Sequence, residues 1–301
     1  MSADQDPAAT FVLEPRGPFA LEEAGRFGFG PHVDPQWDGV MRLAFCLDGY
    51  HDQVGVEVRQ DGNEVQCVVR TADGHDLDLA TVRDQVARVL SLDHDAREYV
   101  AVGQRDPVVR RLLDVAPGLR PVLFSSPYEA AAWAVLSARR PAVQMAEVRR
   151  QMSEEHGAAF DLAGKRLAAF PTPRQMLDVV EVPGLSAEKV TRLHAVARAA
   201  QDGQLDAERL RDMTPEAAMV DLRSIPGIGP FYAALIVIRA TGSTDVLPTA
   251  EPRLIEMITR LYDLPGTPTS AELEAIAEPW RPFRTWVSVL IRAAGRRLLN
   301  A

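Results

Sequence analysis

The stretch Leu222-Arg223-Ser224-Ile225-Pro226-Gly227-Ile228-Gly229-Pro230 and the acid–proline pair Glu251-Pro252 are the places where this sequence could do chemistry. The two glycines, Gly227 and Gly229, allow backbone dihedrals closed to other residues and let a ligand approach closely. Pro230 opens a helix whose first N–H groups point outward with the helix dipole behind them. Together with the hairpin N–H groups around Gly227, Ile228 and Gly229, that makes an anion site built of backbone, suited to a nucleic-acid phosphate. A tight turn between helices needs no ligand, so a bare Gly-x-Gly would not carry this reading. The full pattern, set between two amphipathic helices, does. At the second place, Pro252 pre-sets helical geometry and puts Glu251 at the N-cap of a helix expected to run to Tyr262. The helix dipole and N–H groups favour the ionised carboxylate there. Such a group either only caps its helix or supplies the fixed negative charge that an oxocarbenium-like transition state needs.

These groups must be positioned by helices. Thr214-Pro215-Glu216 is a helix start, with a hydroxyl N-cap, proline at the first helical position and an acid in the first turn. Ala218, Leu222 and Ile225 keep one face apolar up to a predicted stop at Pro226-Gly227. Phe231, Ala234, Leu235 and Ile238 carry the apolar stripe into the next helix. The same start signal recurs at Asp106-Pro107, Ser126-Pro127 and Thr172-Pro173, and all signals after Leu92 read as helical. Val182-Pro183-Gly184-Leu185-Ser186, ahead of Lys189, is a second and looser turn that reads as a plain helix connection. Upstream, Val54, Val56 and Val58 alternate with Gly55, Glu57 and Arg59. Gln60-Asp61-Gly62-Asn63 turns the chain, and Val65, Cys67 and Val69 alternate on the return: a hairpin with one buried face. Val40 to Leu47 is a further strand, Leu79 to Leu90 has helical spacing, and His75, among acids, reads as a surface residue. The fold class is α+β, a small N-terminal antiparallel sheet followed by helices.

Composition narrows the function classes. With 301 residues, 47% of them hydrophobic and 25% charged, the chain has the makings of two or three packed subdomains. No run approaches the roughly 20 apolar residues that cross a membrane. Met1 to Asp6, short and acidic, does not read as a signal peptide. Cys46 and Cys67 alone support neither a disulfide framework nor a four-cysteine iron–sulfur loop, and no cluster has zinc spacing, so a reducing cytoplasm is expected. A net charge of −9 weighs against a nucleic-acid partner. Its distribution does not: acids crowd the first hundred residues, whereas arginines outnumber acids from Leu222 to Ala301. A basic face on an acidic molecule would bind nucleic acid in a strongly salt-dependent way.

The hairpin resembles the helix-hairpin-helix of the HhH-GPD superfamily of DNA glycosylases. Asp245-Val246-Leu247-Pro248 and Glu251-Pro252-Arg253-Leu254 follow it as the Gly/Pro-rich loop and catalytic-helix start follow it in that superfamily. Trp280-Arg281-Pro282-Phe283-Arg284 stands where the 3-methyladenine glycosylase II (AlkA-like) branch has its Trp-Arg-Pro-aromatic-Arg motif. The resemblance covers roughly Leu119 to Leu298, and the N-terminal region more weakly. It implies a two-lobed helical glycosylase fold with a cleft between the lobes. The corresponding division is 1–92 for the sheet domain, 93–121 with 242–301 for the lobe carrying the catalytic-loop helix, and 122–241 for the lobe ending in the hairpin.

What the resemblance implies for the site follows residue by residue. Glu251 occupies the position of the family's catalytic Asp, one methylene longer; Asp245 is the runner-up and corresponds to a residue that shapes the loop. Gly227, Ile228, Gly229 and Phe231 would meet DNA. The pocket for a flipped base would draw on Phe231, where the branch has a tryptophan, and on Trp286, Trp133 and Tyr128. Leu235 stands where the branch has a tyrosine, and Ala138 near its usual glutamine. Phe231 also fills the position of the Schiff-base lysine of bifunctional members, which implies a monofunctional enzyme without lyase activity. No cofactor or metal is expected, save for the monovalent cation that hairpin carbonyls hold in some relatives. The implied partner is duplex DNA with a damaged base, met by a cytoplasmic, nucleoid-associated monomer with no membrane contact. The implied activity is excision of alkylated, 3-methyladenine-type bases in base excision repair. The departures leave two alternatives: a non-catalytic lesion-binding homologue that has lost the Asp, or a glycosylase for a bulky modified base, with Ala138 and Leu235 enlarging the pocket.

Overall fold

The computed structural model describes residues 9–27, 37–72 and 78–300. Met1 to Asp6 and His75 lie outside them. Four strands, β1 (Ala9–Leu13), β2 (Met41–Cys46), β3 (Gln53–Asp61) and β4 (Glu64–Thr71), form an antiparallel sheet in the order β1-β4-β3-β2. Asp61 pairs with Glu64 across a two-residue turn in which Gly62 takes φ +57°. Val54, Val56, Val58, Val65, Cys67 and Val69 point into a core closed by Val82, Val86 and Val89 of the helix Leu79–Val89, whose N-cap Asp78 accepts from Ala80 N.

The second face of β3 is buried as well, contrary to the single buried face that alternation predicts. What covers it is another departure: inside the stretch that reads as helical, β5 (Ala159–Leu162) and β6 (Lys165–Ala168) form a hairpin. Ala163 and Gly164 both have positive φ at its turn, the twist a two-residue hairpin requires. Phe160 and Leu162 pack where β3 carries Gly55, and a Cβ there would lie 2.7 Å from Phe160. Glycine at that position is therefore a docking site for an element more than a hundred residues away. The adjacent Glu57 is buried, satisfied by Arg70 at 3.3 Å and by Ala163 N at 3.0 Å.

The helices gather round two further cores. One surrounds Pro127–Ser137, a helix buried from Pro127 through Leu136. The other packs Ala96–Ala101 and Pro107–Val115 against Pro252–Leu261, Ser270–Ala277 and Arg284–Leu299. The expected N-caps at Asp106, Ser126, Thr172, Thr214 and Glu251 each accept from a backbone N–H of their own first turn, with proline at the first helical position. Asp106 also reaches across its core: Oδ2 accepts from Tyr262 Oη at 2.6 Å and from Trp280 Nε1 at 2.9 Å. Among the described residues no helix is long and apolar enough to cross a membrane. The fold is α+β, a small antiparallel sheet with two helical cores.

Truncating Phe160 to Ala removes the main side chain between the β5–β6 hairpin and the sheet. Urea unfolding of Phe160→Ala is expected to show a loss of about 3 kcal/mol or more, the usual cost of a buried aromatic.

Candidate active site

The hairpin is built by Pro215–Leu222 and Pro230–Ala240. The first helix ends at Leu222, three residues short of the expected Ile225. Ser224 N and Ile225 N bond three residues back, to Asp221 O at 3.1 Å and Leu222 O at 3.2 Å, and Ser224 Oγ donates to Asp221 O at 2.7 Å. A serine competing for the backbone, followed by a proline that disfavours helical geometry at Ile225, tightens and ends the turn. Ile225 and Ile228 remain buried and anchor the hairpin in the first helical core.

Gly227 takes φ +97°, open to glycine at no steric cost. Gly229 is extended and caps Pro230–Ala240 without any side-chain acceptor. The looser turn upstream has the same shape: Leu185 N bonds Val182 O at 3.0 Å, as Ile228 N bonds Ile225 O, and Gly184 takes φ +84°. There, however, Ser186 Oγ accepts from Lys189 N at 3.3 Å. Of the two like turns, the one at Gly227 leaves its helix N-terminus open to an external anion.

Two cations of the helix that follows the looser turn, Arg192 and Lys189, lie near the hairpin and the central helix, a convergence that no local pattern predicts. A Cβ on Gly227 would sit 2.9 Å from Arg192 Cδ and 3.5 Å from Val135 Cγ2, so Arg192 and the central helix flank the turn. Lys189 Nζ donates to Val135 O, Leu136 O and Ala138 O, capping that helix. Burial, reinforced by the charges of Arg140 and Arg192, pushes the Lys189 ammonium below its ordinary pKa. Arg192 is itself paired with Glu188, so the hairpin is flanked by one ion-paired guanidinium and, at the end of the central helix, by the Lys189 ammonium with Arg140 near it.

From the hairpin helix the chain runs without regular structure to Glu251. Asp245 holds that loop: its carboxylate accepts from Arg284 Nε at 2.7 Å and Arg281 Nη1 at 2.7 Å, while Arg284 Nη2 also donates to Asp245 O at 2.8 Å. Thr285 completes the grip, accepting from Val246 N and donating to Val246 O. This is the work of the Trp-Arg-Pro-Phe-Arg motif: Trp280 is tied to Asp106, Arg281 and Arg284 to the loop, and Phe283 is buried in the core. With both carboxylate oxygens engaged, Asp245 is a loop-holding group.

Glu251 caps Pro252–Leu261, its Oε2 accepting from Leu254 N at 2.7 Å, so the longer side chain still reaches the capping position. The same oxygen lies 3.2 Å from Arg292 Nε, and the side chain is 25% exposed. Among the described residues nothing bonds Oε1. The two helices pack closely near this pairing: position 295 is glycine, and a Cβ there would lie 2.7 Å from Met257 Cγ. Arg292 is a site residue that sequence reasoning missed, since only the helix packing brings it to Glu251.

The residues expected at the base pocket lie in different environments. Tyr128 is fully buried, donates from Oη to Pro171 O at 2.9 Å, and packs against Tyr50 and Phe170. Trp133 is buried in the same core. Trp286 is buried among Tyr99, Phe283 and His94, with the Arg120 guanidinium over its ring. Each is too hydrophobic to leave a forming core, and each found partners there. Phe231 differs: it is 50% exposed, edge-on to Tyr232, and Leu235 lies half-buried one turn further along the same face. Ala138, also half-buried, ends the central helix.

No family model matches the sequence. The chain is 25% identical over 205 residues to a DNA-3-methyladenine glycosylase of Bacillus subtilis, covering 65% of this chain and 66% of that one. It is 26% identical over 285 residues to a probable bifunctional transcriptional activator/DNA repair enzyme AlkA of Mycobacterium tuberculosis, covering 92% and 55%. It thus spans about half to two thirds of the length of these curated relatives. In structure it is similar to a 3-methyladenine DNA-glycosylase from Archaeoglobus fulgidus, with a TM-score of 0.75, 22% identity, and coverage of 95% and 98%. These findings bear out the resemblance to the AlkA-like glycosylases and the fold that goes with it.

Replacing Asp245 with Ala strips the largely buried Arg284 of its partner. Denaturant unfolding of Asp245→Ala is expected to show a loss of roughly 1–3 kcal/mol, the cost of leaving such a group unsatisfied.

Proposed function

We propose that this chain is a monofunctional DNA glycosylase that excises alkylated, 3-methyladenine-type bases from duplex DNA. A base inside a duplex cannot reach a protein carboxylate, so the nucleotide turns out of the stack at a cost of a few kcal/mol. The N–H groups of Gly227 and Gly229, with those at the start of the following helix, grip the backbone phosphate. Lys189, Arg140 and Arg192 add a salt-screened attraction. Phe231 and Leu235 offer the flipped base an accessible apolar face.

At the sugar, the Glu251 carboxylate stands beside C1′. The C1′–N bond breaks with its electron pair leaving on the base, and the positive charge that grows on the sugar is stabilised by the carboxylate. Water then bonds to C1′ and gives up a proton to the solvent, while the cationic alkylated base departs neutral with the electron pair; the sum is hydrolysis. With Phe231 in the position of the Schiff-base lysine, no amine attacks the sugar, and the product is an intact strand with an abasic site. The observation that carries the reading is the partly exposed Glu251 carboxylate, capped through one oxygen and open at the other, at the end of a loop that leads from the DNA-gripping hairpin. What supports the substrate class is the likeness to relatives named as 3-methyladenine glycosylases.

Duplexes that each carry one alkylated base, incubated at low salt, test this. Wild type is expected to release the base and to nick the strand only after alkali and heat, whereas Glu251→Gln loses release by about 100-fold or more. Equal release by both proteins removes Glu251 from the chemistry. Binding of damaged duplex with no release of any base makes the chain a lesion-binding homologue instead.

A further inference from the structure

One face of the helix Arg284–Leu299 serves both ends of the loop that carries Glu251. Arg284 grips Asp245 at its start, and Arg292, two turns further along, meets Glu251 at its end. The two contacts differ. Arg284 places several N–H groups on Asp245, whereas Arg292 approaches Glu251 only through Nε, at 3.2 Å, and on the oxygen already taken by Leu254 N. Among the described residues the terminal nitrogens of Arg292 donate to nothing, and the side chain is 32% exposed. A positive group is therefore fixed beside the carboxylate, with its terminal donors unmatched by any of the described residues. Loop-holding is already accomplished by Asp245, so Arg292 is not needed for that.

We propose that Arg292 is a specificity-determining residue that favours damaged bases whose ring carries no charge over cationic N-alkylated ones, an inference that rests on the glycosylase reading of Glu251. When the C1′–N bond breaks, the electron pair goes to the base. An uncharged base thereby becomes an anion until it takes a proton from water, and the guanidinium next to the sugar stabilises that charge. A cationic alkylated base departs neutral and gains nothing from the cation, which opposes its entry. The carboxylate serves the sugar equally in both reactions. A carboxylate alone presents one net negative charge to the incoming base; paired with Arg292 it presents none. A unit charge about 5 Å away, screened by the water that reaches this partly exposed site to an effective dielectric of about 50, changes the relative rates by roughly tenfold.

The test compares single-turnover release of uncharged 1,N6-ethenoadenine or hypoxanthine with release of cationic 7-methylguanine, each from otherwise identical duplexes. Wild type, Arg292→Met, Arg292→Lys and Glu251→Gln are run in parallel. Arg292→Met is expected to lower the ratio of uncharged to cationic base release by about tenfold, while Arg292→Lys, which keeps the charge, restores most of it. Equal slowing of both bases by Arg292→Met would reduce Arg292 to a prop for Glu251 and overturn the proposal, as would an unchanged or raised ratio. Release by wild type that Glu251→Gln leaves intact, or no release of any base, defeats the glycosylase reading of Glu251 and this inference with it. Release that Glu251→Gln abolishes, with a ratio insensitive to Arg292→Met, defeats this inference alone.

Discussion

The molecule is organised around a buried cation whose hydrogen bonds, among the described residues, all go to backbone carbonyls, with Asp93 and Asp95 acting on it only from a distance. Arg120 is fully buried and donates to five backbone carbonyls, those of Arg16, Gly17, Pro18, Ser91 and His94. Burial pushes its pKa down to about 10, so it remains charged at neutral pH. A charge taken out of water without a counter-ion in contact is tolerated only where dipoles replace the lost solvent, and here every donor finds one. The carbonyls come from the segment after β1 and from the chain beyond the Leu79–Val89 helix, so Arg120 ties the edge of the sheet to the start of the helical region. Its guanidinium also lies over Trp286, in the same helix that carries Arg284 and Arg292. The position of that helix, and with it the frame of the loop ending at Glu251, is thereby connected to the sheet.

The loop itself shows how a segment without regular hydrogen bonding is given one conformation. Between Ala240 and Pro252 the backbone has few partners of its own, and the side chains of Arg281, Arg284 and Thr285 supply them. The N-cap at Glu251 then determines where one carboxylate oxygen is held and where the other is left open. A positioned charge of this kind needs no reorganisation when positive charge develops beside it, which is the economy on which electrostatic stabilisation of a transition state rests.

Much of this was legible in the sequence. Local rules were enough wherever a residue's role depends on its immediate neighbours: the proline-opened helices with their N-caps, the β3–β4 hairpin, and Gly227 at a turn that demands positive φ. Glu251 as an N-cap is of this kind. Where two local signals conflicted, the periodic one misled. Ile225 continues the apolar stripe of its helix yet lies beyond its end, because Ser224 and Pro226 act on the backbone while periodicity reports only burial.

What only the tertiary structure decided concerns groups distant in the chain. Gly55 reads as an interruption in a strand until Phe160 is seen to fill its place, and four-residue strands such as β5 and β6 are too short to stand out from helical surroundings. The aromatics Tyr128, Trp133 and Trp286 carry no mark that separates a core ring from a pocket ring; the packing of neighbouring helices makes that choice. Likewise the sequence points to Glu251 but not to Arg292, its neighbour in the structure. The acid and its helix follow from residues three apart, whereas the guanidinium beside it is brought there by the packing of two helices.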